Sequence, residues 1–187
     1  MSMNGDMPHS IEEWRHYQRA AERKVRMAAY HLQMLESRLA IPAPRLGPDI
    51  PIEVQAHFEG ILYSFIAASD QLAEAINRRF TLGLENASLG DALAQMPRLP
   101  IRRRLITWFQ SPIAADVRDI RRRAAHHHYA KTPLGPKLVV QEPTGARPYG
   151  GSRTLDGYGQ AAVEHLGRLE ELLQKFKETA DSRAGHP

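Results

Sequence analysis

The sequence predicts an all-α protein, a four-helix bundle with one long Pro/Gly-rich loop, and three observations carry that reading. Apolar residues recur at three- and four-residue spacing in four long stretches, the period of a helix that buries one stripe. Aromatic residues make up only 7% of the 187 residues, while Ala, Leu, Arg, Glu and Gln abound, which favours helices over the Val-, Ile-, Tyr- and Thr-rich pattern of a sheet. Ser, Pro and Gly punctuate the stretches at the positions where helices start and stop. With 42% hydrophobic and 25% charged residues the chain suits one core. Residues 1–9 read as a flexible N-terminus, 10–180 as a single helical domain and 181–187 as a flexible C-terminus.

The elements follow in order. Ser10-Ile11-Glu12-Glu13 is a capping box, in which the serine oxygen accepts from an orphan amide and Glu13 reaches back. The first helix starts there, buries Tyr17, Ala21, Val25, Ala28, Leu32, Leu35 and Leu39, and ends before Pro42. Four prolines and a glycine between Ile41 and Pro51 make a stiff connector. The second helix opens on Pro51 and carries the longest apolar stripe, from Val54 through Phe58, Ile61, Phe65, Leu72 and Ile76, with Gly83 closing it. Ser88-Leu89-Gly90-Asp91 opens a short helix to Pro97, and Pro100 begins another through Trp108 and Phe109. Ser111-Pro112 is an N-cap followed by a first-turn proline, and the next helix runs from Ile113 to about Tyr129. Residues 132–158 are a long loop, strand-like only at Lys137 to Gln141, where a short hairpin or an edge strand for a partner would fit. The last helix spans about Asp156 to Ala180.

Absent residue types narrow the chemistry. No cysteine is present, so disulfides, thiolate metal sites and cysteine nucleophiles are excluded together. The longest apolar run, Gly60 to Ala68, is too short to span a bilayer, and residues 1–20 lack a leader pattern. A cytoplasmic protein without a membrane partner is the expectation. No phosphate loop, nucleophile elbow or zincin motif occurs. His31, His57 and the run His126 to His128 are considered as metal ligands. Consecutive helical residues diverge by about 100°, so the run cannot chelate one ion, and no metal or other cofactor is expected.

Charge is concentrated. Between Arg98 and Lys131 nine basic residues face only Asp116 and Asp119, a net of +7, so the rest of a chain of net charge +4 carries −3. That basic segment is suited to a polyanion, and nearly all of its positive charge is arginine, whose guanidinium fork binds phosphate bidentately. Arg102, Arg103 and Arg104 read as a solvated first-turn cluster; the alternative is a phosphate partner, since they oppose the dipole of the helix they open. Trp108 and Phe109 read as core anchors, and Asp70 as an exposed carboxylate on the polar edge of the second helix.

The informative stretch is Val117-Arg118-Asp119-Ile120-Arg121-Arg122-Arg123-Ala124-Ala125-His126-His127-His128-Tyr129. With Val117 as zero, Ile113, Ile120, Ala124 and His128 fall within about 60° and face the core. Arg121 lies on the edge of that arc at about 40°, and Arg118, Tyr129, Arg122 and His126 between about 100° and 180° form a polar face. Cations stand there beside a group that titrates near neutrality, the combination that cleavage of a phosphodiester requires. The alternative is structural, because arginine and protonated histidine complement the carboxyl end of a helix.

This pattern resembles the HEPN domain, a family of all-helical nucleotide-binding and ribonuclease proteins. The family's signature is an arginine, usually followed by Asn, Asp or His, with a histidine after four to six residues, late in a helix of a four-helix bundle. Arg121 and His126 match it, with Ile120 before the arginine and Ala124-Ala125 before the histidine, and Arg122 departs from it by standing where Asn is usual. In a second register, Arg122, His127 and Tyr129 are similar to the extended motif of HEPN toxins paired with a nucleotidyltransferase antitoxin, which modifies that tyrosine. The first register leaves the histidine opposite the core, and it is preferred for that reason. The resemblance implies metal-independent cleavage of RNA in a cleft between two such helices of a homodimer, in a toxin, phage-defence or RNA-processing setting, with an antitoxin as a further partner. His126 would move a proton at the ribose hydroxyl or the leaving oxygen, Arg121 with Arg122 would hold the phosphate, and Arg118, Arg123 and Arg102 to Arg104 would bind RNA. A noncatalytic bundle that binds nucleic acid or a protein through residues 98–131 is the alternative, so enzymatic activity stays open at this point.

Overall fold

The computed structural model describes residues 9–41, 49–126 and 155–182, and these are all-helical, with no strand among them. The six helices are α1 (His9–Leu39), α2 (Ile50–Phe80), α3 (Leu89–Gln95), α4 (Pro100–Phe109), α5 (Pro112–His126) and α6 (Leu155–Ser182). The strand-like piece Lys137 to Gln141 lies outside the described residues. Among the described residues no helix is long and apolar enough to cross a membrane.

Helices α1 and α2, 31 residues each, form an antiparallel hairpin, and α6 lies in the groove between them. The stripes read from the sequence supply its interface. Ala21, Val25, Ala28 and Leu35 of α1 are buried, as are Val54, Phe58, Ile61, Phe65, Leu72 and Ile76 of α2 and Leu166, Leu169 and Leu173 of α6. At the far end Trp14 is buried edge-on against Phe176, ring centroids 5.6 Å apart, one turn before the residue from which the sequence stripe is counted. Polar ties along the seams set the register. Arg15 meets Asp181 at 2.7 Å, Gln160 donates to Glu36 at 2.9 Å, and Arg79 donates to the carbonyl of Ala180.

Glycine controls one close approach in the hairpin. A Cβ on Gly60 would lie 2.7 Å from three atoms of the His31 ring, so the imidazole rests directly on the α2 backbone. A mid-helix glycine costs about 1 kcal/mol relative to alanine, and here it makes room for the ring.

The end of α2 differs from the sequence reading. The helix stops at Phe80, with Thr81 rather than Gly83 in the left-handed cap position (φ 50°). Asn77 decides this: its amide donates to the Leu84 carbonyl at 2.9 Å and its carbonyl oxygen accepts from Leu84 N at 3.1 Å. The clamp draws the chain back earlier, and Gly83 (φ 67°) takes a second left-handed step within the same turn. The short elements that follow begin as the caps predict. Ser88 Oγ accepts from Asp91 N at 3.2 Å to open α3, and Ser111 Oγ accepts from Ala114 N at 3.3 Å to open α5.

Candidate nucleic-acid interface

The described part of the basic segment, residues 98–126, lies on α4 and α5 and just before them, and its arginines do not all face the solvent in the same way. Arg102 folds back under α3, donating from Nε to the Leu93 carbonyl at 2.7 Å and from a terminal nitrogen to the Ala94 carbonyl at 3.1 Å. It thereby satisfies two carbonyls that the end of α3 leaves without intrahelical partners. Arg118, placed on the polar face by register, also turns back: it donates to the Phe109 carbonyl at 2.8 Å, and its guanidinium lies 4.0 Å over the Phe109 ring. Burial draws its pKa below the usual arginine range, and the group is still a cation at neutral pH. Arg103 and Arg104 stand exposed on the solvent side of α4, and Arg98 stands exposed just before it. Helix α5 continues unbroken to His126, which puts Arg121 and His126 on one helix with a rise of about 7.5 Å between them. The side chains of residues 121–126, and His127, Tyr129 and Lys131 entirely, lie outside what the structure describes.

Beneath this surface the joint between α4 and α5 is locked to α6. Trp108 stacks against both Phe65 and His165, at 5.5 Å and 5.1 Å between centroids and interplanar angles of 13° and 6°, and those two rings lie 6.1 Å from one another. Its indole donates to the His165 carbonyl at 2.8 Å. His165 Nε2 stands 2.8 Å from Ser111 Oγ and 3.0 Å from the Trp108 carbonyl. A serine so close to an imidazole invites a nucleophile and base reading, and the second contact argues against it. A carbonyl can only accept, so Nε2 carries the proton and has no lone pair for the serine. Ser111 is a cap and His165 a tie. Trp108 thus serves the core, as expected, while Phe109 is half-buried beneath Arg118. Sequence reasoning missed His165, although it stands three residues after buried Ala162 on the apolar stripe of α6, which was signal enough.

The other histidine contact joins α1 to α2. His31 Nδ1 and His57 Nδ1 are 3.2 Å apart, with ring centroids at 5.5 Å. The centroid separation equals the nitrogen separation plus one ring radius at each end, so the two nitrogens point head-on at one another. That is the geometry of one N–H donating to one lone pair. A tetrahedral metal needs the lone pairs to converge on a point off that line, at about 110°. Among the described residues no group of three or more His, Asp or Glu could hold a metal ion. A cleft of about 410 Å³ between α1 and α6, lined by Arg15, Gln18, Arg19, Glu22 and Lys177, is open to solvent and brings no acid and base together with a nucleophile.

Both contacts make stability depend on pH. Burial, aided by Arg168 and opposed by the bond to Trp108, holds His165 below the ordinary 6.5. Burial first and His57 second lower His31 in the same way. The native state therefore prefers both rings neutral, whereas the unfolded chain takes up protons at about 6.5. Stability is full above that value and falls as the pH drops through it towards the lower native pKa values. Urea midpoints are expected to decline from pH 7.5 to pH 5, with a shallower decline in His165→Gln; a midpoint independent of pH would contradict the argument.

Comparison of the chain with protein-family models, with curated proteins and with solved structures returns no match.

Proposed function

We propose that this chain is a HEPN-like endoribonuclease that cleaves RNA without a metal ion, acting as an RNA-cleaving effector of the toxin or phage-defence kind. One observation supports the reading above the others: α5 is a continuous helix through His126, so a histidine and a run of three arginines share the end of one helix within the most basic part of the molecule. In this reading Arg121 and Arg122 bind the scissile phosphate and stabilise its developing charge, and His126 transfers the proton. Without a metal to generate hydroxide, the attacking group is the 2′-hydroxyl of the substrate, which selects RNA over DNA. The two carbonyl-bound arginines bear on how RNA is held. Arg102 and Arg118 supply field from fixed positions, whereas Arg103 and Arg104 are exposed for direct phosphate contact.

The test is incubation of the purified chain with mixed single-stranded RNA in EDTA. Fragments ending in 2′,3′-cyclic phosphate support the reading, and intact RNA retained on the protein supports the noncatalytic binding alternative instead. Two sets of variants separate charge from structure. Arg103→Ala/Arg104→Ala is expected to change stability by no more than about 0.5 kcal/mol and to reduce the salt slope of RNA binding by about two. Arg102→Ala is expected to cost about 1–2 kcal/mol in urea denaturation, since it leaves the carbonyls of Leu93 and Ala94 without their donor.

A further inference from the structure

The four large apolar side chains that stand exposed among the described residues share one face. They are Met27 (41% exposed) and Tyr30 (57%) on α1, and Ile52 (68%) and Tyr63 (57%) on α2. This is the side of the hairpin away from α6. Gly159 of α6 sits against Leu32, Leu35 and Ile61, and by helical register Tyr30 lies about 160° around α1 from Leu32. The antiparallel alignment is pinned by Lys24 over the Tyr63 ring at 5.3 Å and by His31 on Gly60. Small residues form the floor: Ala20 on α1, and Ala56, Gly60 and Ala67 on α2, all at least partly exposed. Charged pairs mark the two ends, Glu13 with Arg78 at 3.3 Å and Arg38 with Glu53 at 2.7 Å. Tyr and Met side chains, with Lys24 laid over Tyr63 and Glu59 beside them, between two charged ends have the mixed apolar and polar anatomy of a protein interface.

We propose that a second copy of this chain docks on the outer face of the α1/α2 hairpin, pairing the two hairpins about a two-fold axis parallel to the helices. Such an axis preserves height along the hairpin, so α1 of one protomer lies over the partner's α2. Met27, Tyr30 and Met34 then come level with the stretch from Tyr63 to Ala56 on the other copy, so that Met and Tyr side chains meet Tyr63 and Ala56, and the pairing is matched to itself by symmetry. The size agrees. A helix of 31 residues is about 46 Å long and about 10 Å wide, so the hairpin offers a footprint of about 900 Å². Two copies would bury about 1,800 Å², within the range of stable interfaces. A lipid surface fits less well, because Glu59 interrupts the α2 side of the face and the rim carries both signs of charge.

The surface lies apart from α5, so this dimer is independent of the ribonuclease reading and differs from one formed where two motif helices meet. Sedimentation velocity on the full chain from about 1 to 100 µM tests it, with Met27→Arg/Tyr63→Arg as the interface variant. Both positions are exposed, and helix content with thermal midpoint verifies folding. The expected result is a wild-type dimer of twice 21.1 kDa at tens of micromolar, weakened at least about 100-fold in the variant and retained in Arg121→Ala/His126→Ala. A wild type that runs as a monomer throughout overturns the proposal. So does a dimer that survives Met27→Arg/Tyr63→Arg.

Discussion

Arg121→Ala/His126→Ala is expected to lower the rate of RNA cleavage by about 10³-fold or more, with helix content and thermal midpoint little changed. A positioned acid or base contributes about 10²–10⁴ to a rate, and a phosphate-stabilising donor about 10²–10³. Residues that act on one transition state are not additive, so each single variant should lose nearly as much as the double. The charge lost is small against the net +7 of residues 98–131, so RNA binding should weaken only a few-fold. That contrast separates catalysis from binding, since a purely electrostatic role would make cleavage and binding fall together. The pH profile gives an independent readout: an essential histidine adds a titration limb to the rate, and His126→Ala abolishes it. Arg122→Ala/His127→Ala reports on the register. If that pair abolishes cleavage and Arg121→Ala/His126→Ala does not, the chemistry belongs to the second register, and Tyr129 becomes the residue to examine for modification.

Trp108→Ala is expected to have the largest effect on stability, about 3–5 kcal/mol, seen as a thermal midpoint lower by roughly 10 °C. The indole packs against both Phe65 and His165, and its removal leaves a cavity at the junction of α2, α4 and α6. It also strips the His165 carbonyl of its donor. Trp108→Phe should recover most of the packing and lose only the hydrogen bond, a cost of about 1–1.5 kcal/mol. Equal losses in the two variants would contradict the assignment of that bond. Because α5 starts four residues beyond Trp108, Trp108→Ala should also loosen the base of the helix that carries Arg121 and His126, and RNA cleavage should decay at a lower temperature.

Helix positions were legible in the sequence to within a residue or two wherever a cap or a proline marks them, as at Ser88, Pro100 and Ser111. The close of α2 was not, because Asn77 sets it by reaching seven residues forward, and a glycine nearby is a weaker constraint than two hydrogen bonds. The buried stripes were legible for the same reason as the helices: burial repeats at the helical period. What could not be read was the use of each arginine. On α4 the neighbours Arg102 and Arg103 look alike in sequence, yet one is bound to the end of α3 and the other is exposed, because only one faces the carbonyls of a helix that lies close by. The histidines divide in the same manner. Buried His165 and half-buried His31 are ties whose surroundings favour the neutral ring, and nothing in their immediate sequence contains those surroundings.

The amino-acid sequence by itself determined the all-helical character of the described residues, the placement of their helices and the concentration of positive charge between residues 98 and 131, since these depend on local spacing, caps and composition. The tertiary structure alone decided that His31 meets His57, that Trp108 stacks on His165, and that the exposed apolar residues of α1 and α2 gather on one face. Each of these joins residues from different helices, 26 to 57 positions apart in the first two cases, and depends on how helices cross rather than on how they form.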